Sequence, residues 1–112
     1  MQSSRSWLVR LALAAVCVLL VAATAQAQGS AADLYKTKCA VCHGADGAGD
    51  TAMGKKTGAH DFRSPEIQKM TDAQLIEVTT KGKDKMPGYD KKLTADQIKG
   101  LVAYIRELGK KK

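Results

Sequence analysis

Two cysteines three positions apart, Cys39 and Cys42, stand directly before a histidine, His43, and a methionine followed by proline, Met86-Pro87, comes 43 residues later. Residues three apart on a helix share a face, so both thiols can add to the two vinyl groups of one porphyrin and form thioethers. The histidine beside the second cysteine is then pinned under the metal as a proximal iron ligand. A methionine thioether on the far face completes a His/Met pair, a ligation that raises the reduction potential of haem iron. The Cys-x-x-Cys-His run is the attachment signature of c-type haem, and one covalent haem c is the cofactor these residues predict.

Other chemistries of the same pair are less well matched. A structural zinc site takes four ligands, usually as two pairs, and the chain has one pair at this spacing. A thioredoxin-like dithiol sits in a strand-helix-strand setting, and no strand-like alternation flanks this one. A plain disulfide is the structural alternative in an oxidising compartment, but none of the three needs a histidine directly after Cys42.

The distal ligand is read with alternatives. Met86 is favoured because it follows a helix and a glycine-containing turn and precedes a proline that stiffens the loop. Met70 sits near a helix boundary, Met53 lies close to His43 in the chain, and His60 would give bis-histidine ligation; all three remain rivals.

These residues have to be positioned by a short chain. Met1 to Arg10 holds two arginines and no acid, Leu11 to Ala25 is almost wholly apolar, and Ala25-Gln26-Ala27 is a cleavage-type sequence. The apolar run is about 15 residues, short of the roughly 20 a spanning helix needs. Residues 1–27 are therefore read as a cleaved secretory signal peptide, with no stable membrane anchor and a periplasmic or otherwise exported product. Cys17 leaves with the leader, so Cys39 and Cys42 become the only thiols of residues 28–112. That stretch is read as one domain, whose few aromatics, Tyr35, Phe62, Tyr89 and Tyr104, make a thin core. Chains this short often need a metal or cofactor to complete the core.

Helices and glycine-rich loops alternate along it, without internal repeats. Ser30 is read as the N-cap of a helix that runs into the cysteine motif. Gly44 to Gly49 is a loop, and Thr51 to Phe62 has no sustained period. Ser64-Pro65 starts a short turn. Thr71-x-x-Gln74 and Thr94-x-x-Gln97 are capping boxes. The first opens a helix that Gly82 stops; the second opens one carrying Ile98, Leu101, Val102, Ile105 and Leu108, with Gly109 read as its end. The chain is predicted to be all-α.

In order, Tyr35, Cys39-x-x-Cys42-His43-Gly44, Met86-Pro87 and Leu101-Val102-Ala103-Tyr104-Ile105 resemble a class I c-type cytochrome of the small bacterial monohaem kind. The resemblance implies three to four helices wrapped around one haem, with Cys39 and Cys42 as covalent anchors, His43 as proximal ligand and Met86 as distal ligand. It also implies that the first and last helices cross where Ala31 admits Tyr104. The sequence departs from the family in having no proline between His43 and Pro65 whose carbonyl would accept the proximal histidine's N–H. A ligating histidine usually gives that N–H to a partner, and a backbone carbonyl within Thr51 to His60 is expected to substitute. The family's propionate-binding tryptophan is also missing, leaving Arg63, Tyr89 and lysines as candidates.

The net charge of +7 becomes +5 without the leader. Lys81, Lys83 and Lys85 precede Met86, and Lys91 and Lys92 follow. They read either as a solvated surface or as a basic ring that steers an acidic redox partner. Lys110 to Lys112 is a solubilising tail, and no nucleic-acid partner is expected. The functional expectation is a monomeric, non-enzymatic electron carrier serving redox partners of a respiratory chain. The alternatives are a haem enzyme or gas or peroxide sensor with a displaceable distal ligand, and a haem-bearing subunit of an oxidase or dehydrogenase complex.

Overall fold

A computed structural model describes residues 5–13 and 31–111. Its described residues contain helices and one isolated antiparallel bridge, Lys83 to Met86, with no strand among them. The all-α expectation therefore holds. Residues 5–13 are helical and exposed, and no helix among the described residues is long and apolar enough to cross a membrane. The cleavage segment after Leu13 and the Ser30 cap lie outside the described residues.

The first helix of the domain, α1 (31–38), is followed after a break at Cys39 by α2 (Ala40–His43). At the break the amides of Cys42 and His43 both bond to the Cys39 carbonyl, at 3.2 and 3.0 Å. The three-residue reach of the Cys42 amide tightens the turn that carries both thiols.

Next comes α3 (Ala52–Thr57), in the stretch where the sequence shows no period. Thr51 caps it by accepting the Gly54 amide, and Gly54 is its only buried residue. A helix with so little apolar face leaves no stripe in the sequence. A single turn, α4 (Pro65–Gln68), starts at Ser64 with proline in its first turn, as the sequence predicts.

Both capping boxes form. Thr71 and Gln74 open α5 (Asp72–Lys81), which stops at Gly82, and Thr94 and Gln97 open α6 (Ala95–Lys110). The five predicted stripe residues of α6 are all buried. They meet Tyr35, Phe62, Ile67, Leu75 and Leu93 in one core.

One local expectation is corrected. Gly109 lies inside α6 rather than beyond it, and Lys111 is the cap. A Cβ at Gly109 would overlap the Gln68 side chain and stand 3.1 Å from the Phe62 carbonyl, so this glycine lets α4 approach α6. The first and last helices meet through facing pairs four residues apart. Tyr104 packs its ring on Tyr35, centroids 5.1 Å apart, whereas buried Ala31 lies opposite Gly100, whose added Cβ would be 3.7 Å from that of Ala31.

Candidate functional site

Cys39, Cys42, His43 and Met86 all line one cavity of about 420 Å³. That volume lies within the roughly 300–1,000 Å³ usual for small-molecule and cofactor sites. Val41 and the cysteines give one wall, and Val78 of α5 with Met86 and Pro87 gives another. The four residues singled out by type and spacing are thus brought together by the fold.

His43 is fixed from behind. Its Nδ1 lies 3.2 Å from the His60 carbonyl. A carbonyl only accepts, so this bond places the proton on Nδ1 and leaves the Nε2 lone pair for a metal. The expected substitute for the missing proline is therefore the carbonyl of His60. Phe62 stacks on the imidazole with centroids 4.2 Å apart and planes inclined by 20°. Burial lowers the pKa of His43 and favours the neutral ring, outweighing the His60 carbonyl bond that acts in the opposite direction.

The loop behind the motif is clipped to it. Thr51 Oγ1 donates to the Cys42 carbonyl at 2.8 Å and to the Val41 carbonyl at 3.0 Å, besides capping α3. Tyr35 Oη donates to the Gly44 carbonyl at 2.7 Å. Nothing in the sequence announces His60, Phe62 or Thr51 as partners of the motif, because each acts across a loop; only the absent proline hinted that a carbonyl was needed.

Met86 is half-buried and sits in a tight turn. The Lys83 amide bonds to the Met86 carbonyl at 3.1 Å and the Met86 amide to the Lys83 carbonyl at 2.9 Å, with Asp84 at φ 52. After Pro87 the chain runs back along the end of α5, where the Tyr89 amide bonds to the Thr79 carbonyl at 3.0 Å. Gly82 and Gly88 make that crossing possible. A Cβ on Gly82 would come within 2.6 Å of the Met86 carbonyl, and one on Gly88 within 2.7 Å of the Thr80 carbonyl.

The rival ligands are placed differently. Met70 packs partly buried against the core, and Met53 is exposed on α3; neither lines the cavity. His60 does line it, but its carbonyl is held by His43, which keeps its backbone on the proximal side. Of the propionate candidates, Arg63 is engaged by Asp61 at 3.1 and 3.2 Å and stands away from the cavity. Tyr89, Lys38, Lys83 and Lys85 line it, while Lys81 pairs with Glu77 at 3.0 Å.

The donor set also bears on the other chemistries. Among the described residues no cluster of three or more His, Cys, Asp or Glu side chains is placed to hold a metal ion, whereas zinc would need four ligands. Cys39 and Cys42 are free thiols, and burial, aided by Cys42, pushes Cys39 up to about 11. A thiol held protonated is a poor exchange nucleophile. Two thiols, an imidazole with a free Nε2 and a thioether lining one apolar-walled cavity fit a covalently attached haem.

Known proteins match the chain over this region. The family model described as cytochrome c oxidase, cbb3-type, subunit III matches residues 26–105. The cbb3-type cytochrome c oxidase subunit CcoP of Azospirillum brasilense is 33% identical over 78 residues, which are 68% of this chain and 26% of that protein. The chain thus spans about a quarter of the length of that relative. Among solved structures, the KustC0563 c-type cytochrome aligns with a TM-score of 0.65 at 36% identity, covering 70% of this chain and 96% of that one.

Proposed function

The chain belongs to the cbb3-type cytochrome c oxidase subunit III family, and from that premise we propose that it is an electron carrier built on one covalent haem c. Cys39 and Cys42 anchor the haem, His43 is the proximal iron ligand and Met86 the distal one. The observation that carries this reading is the meeting of all four side chains in one cavity, with the His43 proton already committed to the His60 carbonyl.

When bound, the haem supplies a one-electron ferric/ferrous couple whose potential depends on its axial ligands. The chain's own residues do the rest. The His60 carbonyl holds the proton on His43 Nδ1 and so orients Nε2 toward the cavity; a hydrogen-bonded N–H also raises the basicity of a ligating imidazole. Phe62 limits tilting of that ring. Val41, Val78 and Pro87 keep the cavity wall apolar, which restricts water and thereby helps set the potential. With His43 and Met86 both committed to holding the haem, no open coordination site would remain for a substrate, and the protein would act without bond-making chemistry.

Residues 1–27 serve as a cleaved export signal and 28–112 as the functional domain, delivered to the periplasm as a monomer. Lys38, Lys83 and Lys85 at the cavity attract an acidic surface of a redox partner. A second reading, a haem-bearing subunit docked in an oxidase, is favoured by the match to CcoP. The two differ in interface rather than chemistry, so recovery of the native protein free or within a larger complex separates them.

A visible spectrum with redox titration tests the main reading. The expected outcome is a c-type α-band that survives denaturation, a ferric methionine-to-iron charge-transfer band and a single one-electron wave. Rapid carbon monoxide binding to the reduced protein at neutral pH would instead indicate an open distal site and an enzyme or sensor.

A further inference from the structure

The turn that carries Met86 is tied across the cavity to the cysteine side by two side chains, one on each side of Met86 in the chain. Tyr89 Oη donates to the Lys38 carbonyl at 3.1 Å. That carbonyl closes α1 at the break: the Cys42 amide one turn ahead bonds to Cys39 instead, so the geometry of the attachment motif frees the acceptor that Tyr89 takes. Lys85 Nζ donates to the Lys56 carbonyl, at 3.2 Å, in the last turn of α3. There is little slack between these ties and Met86. Pro87 has a fixed φ, Gly88 is seated against the end of α5, and the Tyr89 and Asp90 amides bond to the carbonyls of Thr79 and Thr80.

Resting on the assignment of Met86 above, we propose that the Tyr89 hydroxyl is a positioning group for the distal ligand, locking the Met86 turn onto the carbonyl released at Cys39, with Lys85 as a weaker second tie. The attachment helix thereby governs how firmly the opposite face of the iron is closed. An external ligand reaches that face only when the turn swings away, and each tie opposes the swing. A net hydrogen bond of ordinary strength corresponds to a roughly two- to tenfold change in such an opening. Lys85 is more exposed than Tyr89, so its share lies at the low end.

Stopped-flow binding of imidazole to the purified ferric holoprotein reads the opening directly. Tyr89→Phe keeps the ring against the core and removes only the hydroxyl. It is expected to raise the association rate by about two- to tenfold, with a fall in the thermal unfolding midpoint no larger than one lost hydrogen bond produces, about 4–8 °C. Lys85→Gln should raise the rate less, and Lys83→Gln, a charge-matched control on the same turn, should not raise it. An unchanged rate in Tyr89→Phe, with the methionine band present in the wild type, overturns the tie. So does a rate increase accompanied by a fall in the midpoint well beyond that of one hydrogen bond, since that marks general loosening. Equal increases in Lys83→Gln and Lys85→Gln overturn the second tie. A wild-type spectrum without the methionine band overturns the Met86 assignment itself, and the positioning role falls with it.

Discussion

The two walls of the cavity are built on different principles. On the His43 side, the imidazole is backed by packing and hydrogen bonds: it lies on Phe62, its N–H is taken by His60, and Thr51 clips the helix end to α3. On the Met86 side a short turn with an aspartate at φ 52 and exposed lysines hangs from the end of α5 by backbone crossings and side-chain ties. The proximal imidazole rests on the core through Phe62, and the Met86 turn is attached to the core from outside. Damage to the first should therefore appear in the stability of the whole domain, and damage to the second mainly in the spectrum of the iron.

The largest effect should come from removing the anchor both walls share. With Cys39→Ser and Cys42→Ser together, covalent haem on a denaturing gel should vanish and most helical circular dichroism with it, since the four aromatics make a thin core. Native-like helix with cooperative melting in that chain would show that the core stands without the porphyrin. Phe62→Ala comes next. It should lower the unfolding free energy of the holoprotein by about 3–5 kcal/mol, while the methionine band at neutral pH stays in place.

Gly82→Ala is the distal counterpart. Gly82 has φ 79 and ψ 168, a region essentially restricted to glycine, and its Cβ would strike the Met86 carbonyl. The strain of about 1–3 kcal/mol should weaken the methionine band far more than it lowers the unfolding midpoint; the reverse ranking would erase the contrast between the walls.

The smallest effect is tied to pH. Burial, with smaller contributions from Cys39, Tyr104 and Asp46, holds the Tyr35 hydroxyl above its ordinary range. The folded state keeps that proton more tightly than the unfolded chain, so the stability it contributes is complete below about pH 10 and is lost as pH rises further. Tyr35→Phe should cost about 1 kcal/mol at neutral pH and flatten the alkaline fall seen in denaturant unfolding.

The legible parts of the fold were those whose signals are local. The Thr71/Gln74 and Thr94/Gln97 boxes need only three residues' separation, and the α6 stripe repeats within one element. The cysteine motif and Met86 could be singled out because the proposed chemistry demands those residue types, and the fold brings them to one cavity. What escaped the sequence depends on contacts between elements. Helix α3 buries only Gly54 and shows no stripe, Gly109 looked like a terminator but is a point of close approach, and Arg63 is turned from the cavity by Asp61. The stacking of Phe62 on His43 joins residues on either side of a loop that carries no periodic pattern.

The partner of the His43 N–H is a main-chain oxygen. Every amino acid carries the same carbonyl, so most replacements at position 60 preserve this bond, whatever they do to the part of the cavity lined by the His60 side chain. A deletion or insertion between Thr51 and Phe62 is different, because it moves the carbonyl away. The tuning of the proximal ligand is inherited through the length of a loop, and surveys of substitutions alone would never find it.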